Sequence, residues 1–152
     1  HELKPIPGAM LFLSYAHALF PNVGLATSSS AYTQQGLFKQ LSLEYYFDAV
    51  TTGDDVHAPK PNPEAYTRTA AELNVPPSDT IVIEDTDVGI CAARSAGCRP
   101  IGITTSQTAA ALYTAGAEQV AHNYTDLARI VFGALHVQAL SPLSFLPSST
   151  KA

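Results

Sequence analysis

Short apolar runs alternate along the chain with longer stretches whose apolar residues recur at helical spacing. Thr80, Ile81, Val82 and Ile83 make a β-branched run of the kind buried on both faces of a sheet. It stops at the acidic cluster Glu84, Asp85 and Asp87, and a helical pattern follows, with Gly97 placed as its C′ residue. Upstream, Gly8–Phe20 reads as a helix broken by Pro21 and Asn22. Val23–Ala26 is then a short strand that runs into Thr27, Ser28, Ser29 and Ser30. Ala31–Leu43 reads as helix, Phe47–Thr52 as strand, and Gly53–Pro63 as a loop carrying Asp54, Asp55 and Lys60. Asn62 is the expected N-cap of a helix over Pro63–Leu73, with Pro63 in its first position. Further strands are expected at Arg99–Thr104 and Gln119–Ala121, and helices at Thr108–Ala115 and Asp126–Ala134.

Strands that alternate with helices predict an α/β fold, a doubly wound parallel sheet. Right-handed crossovers then bring all strand C-termini to one edge. Two prolines make residues 1–7 a linker, residues 8–134 form the core domain, and residues 135–152 lose periodicity and read as a loosely ordered tail.

Composition narrows the class. With 152 residues, 46% apolar and 14% charged, the chain is one globular domain rather than a disordered segment. A net charge of −5 without any Lys/Arg run argues against nucleic acid or an anionic membrane as the main partner. No apolar run reaches the roughly 18 residues that span a bilayer. Cys91 and Cys98 are too few and wrongly spaced for a zinc knuckle, and are expected to be reduced core residues, with a disulfide or a catalytic thiol as the alternatives. A cytoplasmic setting is the resulting expectation.

Three polar clusters follow strands directly. The Thr27–Ser30 hydroxyls, with the N–H groups of a helix N-terminus, suit a phosphate oxygen, and they suit helix capping equally well. Lys60 is held between Pro59 and Pro61; it is either a point charge for a phosphoryl group or a solvated surface lysine. Glu84, Asp85 and Asp87 offer the oxygen ligands that Mg²⁺ prefers, while the plain alternative makes Asp87 an N-cap and the other two solvated loop acids. A receiver domain uses similar groups but places its acids first, and here they come last.

These residues sit in motifs that resemble the haloacid dehalogenase superfamily, in the branch of β-phosphoglucomutase and small sugar-phosphate phosphatases. The motifs are LATSSS at Leu25–Ser30, YFDAVTTGDDV at Tyr46–Val56, KPNPEAY at Lys60–Tyr66 and IVIEDTDVGICAARSAG at Ile81–Gly97. AGAEQVAHNYTDL at Ala115–Leu127 adds to them, and the resemblance runs from about Pro7 to Ile130. It implies a Rossmann-like core and Mg²⁺-dependent phosphoryl transfer on a small phosphorylated metabolite such as a sugar phosphate. By the resemblance, the Thr27 hydroxyl and the Ser28 N–H bind the transferring phosphoryl group and Lys60 neutralises its charge. Asp85 is then the Mg²⁺ ligand with Glu84 beside it, and Gly89 lets the following helix pack closely.

The chain departs from the family's pattern at two points. The family's nucleophile is an aspartate in an Asp-x-Asp motif on the first strand, and no aspartate precedes Thr27 here. The helical cap between the first two motifs is absent as well, so residues 1–7 resemble the return hinge from it. The resemblance places the missing strand between the one ending at Thr27 and the one ending at Glu84. Those two strands are then expected either to keep unpaired backbone groups or to close up and pair directly. The nucleophile is expected from residues not in this chain, with the missing N-terminal part of the same protein as partner, and the isolated chain is expected to be inactive. The alternative is a non-catalytic module of the same descent that binds phosphate or a partner protein.

Overall fold

The computed structural model describes residues 3–133. The predicted tail at 135–152 and the end of the last predicted helix lie outside the described residues. Within them the order is α1 (Ala9–Leu19), β1 (Gly24–Ala26), α2 (Ala31–Leu41), β2 (Ala49–Thr51) and α3 (Glu64–Glu72). It continues with β3 (Ile81–Glu84), α4 (Asp87–Ser95), β4 (Arg99–Ile103), α5 (Ala109–Ala115), β5 (Gln119–Ala121) and α6 (Tyr124–Phe132). Single 3₁₀ turns at Glu44–Tyr46, Gly53–Asp55 and Pro77–Asp79 fill three of the connections, the second inside the loop expected at Gly53–Pro63.

Every strand pair is parallel. β1 pairs with β2, and β3, β4 and β5 pair in that order. The single sheet expected from the alternation is therefore divided in two, because β1 and β3 do not pair. Of the two expected outcomes for these flanking strands, the structure adopts the open one.

Neighbouring strand residues face opposite layers, as the two-residue period of a strand requires. Val82 packs with Tyr66, Ala92, Ala93 and Cys98 beneath α3 and α4, while Ile83 packs with Ile101, Ile103, Ala121 and Leu127 on the α6 side. On β5, Val120 joins Ile90 and Leu112, and Ala121 joins Leu127. Helices thus cover both faces of the three-stranded sheet. α1 docks on α6 through Phe12, whose ring lies 5.7 Å from Tyr124 and 5.1 Å from Phe132.

The helix ends follow local chemistry. α4 closes in a Schellman motif, with Gly97 N–H on the Arg94 carbonyl, Cys98 N–H on the Ala93 carbonyl and Gly97 at φ +83°. At α3, Pro63 takes the cap position instead of the first helical one, and the Asn62 side chain still accepts the Glu64 N–H at 3.0 Å. Thr86, not Asp87, is the N-cap of α4. Cys98 is buried and Cys91 half-buried, both are free thiols, and burial pushes the Cys98 thiol pKa up. Among the described residues no helix is long and apolar enough to cross a membrane.

Candidate functional site at the strand ends

The chain just after β1 carries the hydroxyl cluster. Thr27 N–H continues the ladder to the Thr51 carbonyl, which fixes the residue at the end of the strand. Its Oγ1 accepts the Ser29 N–H at 3.1 Å, so the hydroxyl hydrogen stays available to donate outward. Capping of α2 falls to other groups: Ser30 Oγ accepts the Thr33 N–H, and Asp54 Oδ2 accepts the Ala31 N–H. The Ser28 N–H has no protein acceptor among the described residues. A half-buried hydroxyl and an uncommitted N–H remain side by side, as an anion would require.

Lys60 stands between the two sheets. Its preceding loop is fastened to α3 by Glu64, which accepts the His57 N–H at 2.9 Å and the Ala58 N–H at 3.0 Å. Those hydrogen bonds, the one from the His57 backbone first, together with the contact from the His57 ring at 2.9 Å, lower the Glu64 pKa from 4.5 to about 2. The Lys60–Pro61 peptide bond is cis. The Lys60 Nζ donates to Glu84 Oε1 at 2.5 Å and to the Ala26 carbonyl at 3.3 Å. Both side chains of the Lys60–Glu84 pair are only 10% exposed. Of the two readings of Lys60, the solvated surface lysine is set aside.

Tyr66, which no local sequence signal marks, completes this cluster. Its hydroxyl donates to the same Glu84 Oε1, and the Lys60 Nζ lies 4.6 Å from its ring centroid. Burial first, and then the Glu84 carboxylate, push the Tyr66 pKa far up, so the phenol keeps its proton. Gly89 opens the space: a Cβ there would collide with the Glu84 carboxyl group.

Asp85, next along, turns the other way. Its Oδ2 accepts Ser106 Oγ at 2.5 Å and Thr105 Oγ1 at 3.3 Å, while Oδ1 has no protein donor among the described residues. Asp87 is occupied by Gln107, which accepts its N–H at 2.7 Å and donates to its carboxylate at 3.1 Å. An open hollow of about 480 Å³, lined by Ser106, Gln107, His122 and their neighbours, lies beyond β4 and β5. Among the described residues no three His, Cys, Asp or Glu side chains converge as a metal cage. Mg²⁺ is commonly held by one or two carboxylates, with water and phosphate oxygens completing its shell. Asp85 Oδ1 faces such a role unengaged, whereas Glu84 Oε1 is held by Lys60 and Tyr66 and Glu84 Oε2 meets only the Thr86 hydroxyl at 3.5 Å.

Fold and site together define a Rossmann-like α/β protein with its polar chemistry gathered where parallel strands end. A sequence profile described as haloacid dehalogenase-like hydrolase matches residues 1–103, and the chain belongs to that family. Over 107 residues the chain is 36% identical to the validoxylamine A 7'-phosphate phosphatase of Streptomyces hygroscopicus subsp. limoneus, covering 70% of this chain and 50% of that protein. It is 38% identical over 99 residues to a phosphorylated carbohydrates phosphatase of Thermotoga maritima, covering 65% of this chain and 46% of that one. A crystal structure of a beta-phosphoglucomutase homologue from Thermotoga maritima superposes with a TM-score of 0.76 at 33% identity, over 82% of this chain and 59% of that chain. The chain spans about half the length of the curated relatives it matches.

Proposed function

We propose that this chain carries part of the catalytic site of a Mg²⁺-dependent phosphoryl-transfer enzyme acting on a small phosphorylated metabolite, with the nucleophilic aspartate contributed by residues outside it. One observation carries the reading. The single ammonium of Lys60 touches Ala26, the residue before Thr27, and Glu84, the residue before Asp85. Three motifs far apart in sequence thereby converge on one spot. The named substrates of two relatives, validoxylamine A 7'-phosphate and phosphorylated carbohydrates, support a sugar phosphate as the substrate class.

The residues divide the work by their chemistry. The Thr27 hydroxyl and the Ser28 N–H hold phosphoryl oxygens, and the hydrogen bond from Ser29 to Thr27 Oγ1 fixes the hydroxyl's direction. Lys60 neutralises charge as donor and acceptor oxygens approach phosphorus. It is held at the strand ends by Glu84 and Tyr66, so little is lost in ordering it during reaction. Asp85, steadied by Ser106 and Thr105, is the residue that would hold Mg²⁺. When bound, the ion shields the converging negative charges.

The test is phosphate release from a panel of sugar phosphates by the chain joined to a segment bearing Asp-x-Asp at the end of an apolar strand. The joined protein is expected to turn over only with Mg²⁺, and Lys60→Ala or Asp85→Ala to reduce the rate by at least about a hundredfold. The unjoined chain is expected to be inactive. Turnover by the unjoined chain would remove the need for an outside nucleophile. Phosphate binding by the joined protein without any turnover would instead establish a binding module.

A further inference from the structure

The loop between β4 and α5 grips the start of α4 from outside. Its own ends are anchored elsewhere: the Thr104 N–H donates to the Ala121 carbonyl at 3.0 Å, and the Thr108 hydroxyl accepts the Ala111 N–H at 3.2 Å. Between those anchors Thr105 and Ser106 both donate to Asp85 Oδ2. Gln107 takes Asp87 at two points, accepting its N–H at 2.7 Å and donating to its Oδ1 at 3.1 Å. The same Oδ1 accepts the Val88 N–H at 2.8 Å, so the Asp87 carboxylate is tied down over the first turn of α4.

That tie runs against what the backbone alone would give. Thr86 is extended, with φ −123° and ψ 150°, so residues 85 and 87 project to the same side of the chain. A carboxylate left loose beside a bound dication would be drawn to it. Glu84, Asp85 and Asp87 nevertheless do not converge: among the described residues no three His, Cys, Asp or Glu side chains do. Gln107 suits the task of holding one of them apart. Its amide both accepts and donates, so it engages the N–H and the carboxylate of one residue without bringing another charge.

We infer that Gln107 is a positioning residue that acts by exclusion: it keeps Asp87 out of the shell of an ion held at Asp85, and thereby sets which divalent cation the site prefers. The inference rests on the Mg²⁺ reading above. Mg²⁺ is commonly held by one or two carboxylates and keeps several waters, whereas Ca²⁺ gathers roughly six to eight oxygens. Withholding Asp87 therefore weakens Ca²⁺ more than Mg²⁺, and leaves coordination positions to water and phosphoryl oxygens.

The test is titration of the purified chain with Mg²⁺ and with Ca²⁺, followed by the amide NMR signals of residues 84–88. This readout needs no turnover and reaches weak affinities. Gln107→Ala is expected to tighten Ca²⁺ about tenfold or more and Mg²⁺ by less. Gln107→Met, which keeps the length of the side chain, is expected to do the same, and no gain in either variant would overturn the exclusion. Asp87→Asn alone is expected to move either affinity by no more than about threefold, the size of a charge felt through water. In the Gln107→Ala background it is expected to abolish the gain, which isolates the coupling between the two residues. A gain that survives Asp87→Asn, or a loss of about tenfold from Asp87→Asn alone, would also overturn the proposal. Asp85→Asn separates the two readings. It is expected to abolish binding of both ions, and retained binding would remove Asp85 as the metal ligand and the exclusion with it. Lost binding there, with Gln107 without effect, would remove the exclusion alone.

Discussion

Glu84 shows how residues distant in sequence settle one another's roles. Its carboxylate takes a proton donor from Tyr66 and an ammonium from Lys60, in space that only a glycine at 89 leaves free. Tyr66→Phe removes a hydrogen bond to a charged group and is expected to cost about 2 kcal/mol, read as a lower urea midpoint at unchanged m-value. Gly89→Ala must push the Glu84 carboxylate off its partners and is expected to cost roughly 1–3 kcal/mol in the same assay. An alanine that leaves the midpoint untouched would show that Glu84 is not held there. Lys60 was legible in advance because two prolines mark it and its motif resembles a known one. Tyr66 was not, since nothing local ties it to a partner 18 residues away. The same holds for the bond between Ser106 and Asp85, which forms only once β4 has paired with β3.

Elements are governed by their ends. The start of α3 is clamped by Glu64, whose depressed pKa links the clamp to pH. A carboxyl group with a lowered folded-state pKa stabilises fully above its ordinary value of 4.5, and this contribution fades as pH falls toward about 2. Carboxyl NMR is expected to show Glu64 titrating well below an ordinary glutamate, with the His57 and Ala58 amide signals moving in step. Titration at the ordinary value would mean that the loop before Lys60 is not fastened there. At the other end of the chain's central unit, Gly97→Ala places a side chain at φ +83° and is expected to cost roughly 1–2 kcal/mol in urea unfolding. Gly97 was readable because a helix stop needs only local sequence. The caps at Pro63 and Thr86 differ from expectation by one residue: Asn62 still accepts the Glu64 N–H, while at α4 the Thr86 hydroxyl accepts the Gly89 N–H and Asp87 is engaged by Gln107.

At the scale of the whole molecule, alternation revealed the parallel α/β class, but sequence pattern cannot say whether neighbouring strands touch. β1 and β2 form a ribbon of three residues each, whereas β4 is paired along both edges and covered on both faces. Local opening should therefore be uneven. Native-state hydrogen exchange is expected to protect β4 and α4 most strongly. α1, in which Ala16 alone is buried, and β1 are expected to exchange earlier. Equal protection throughout would point to one cooperative unit. Cys91 lies within α4 and Cys98 between α4 and β4, and the two thiols differ in cover. Cys98, beneath the Schellman turn, is buried with a raised pKa, whereas Cys91 lies half-open against Ala115. The molecule thus carries its own stopwatch: a thiol reagent would tag Cys91 promptly, and the lag before Cys98 reacts would time how often the centre of the fold comes apart.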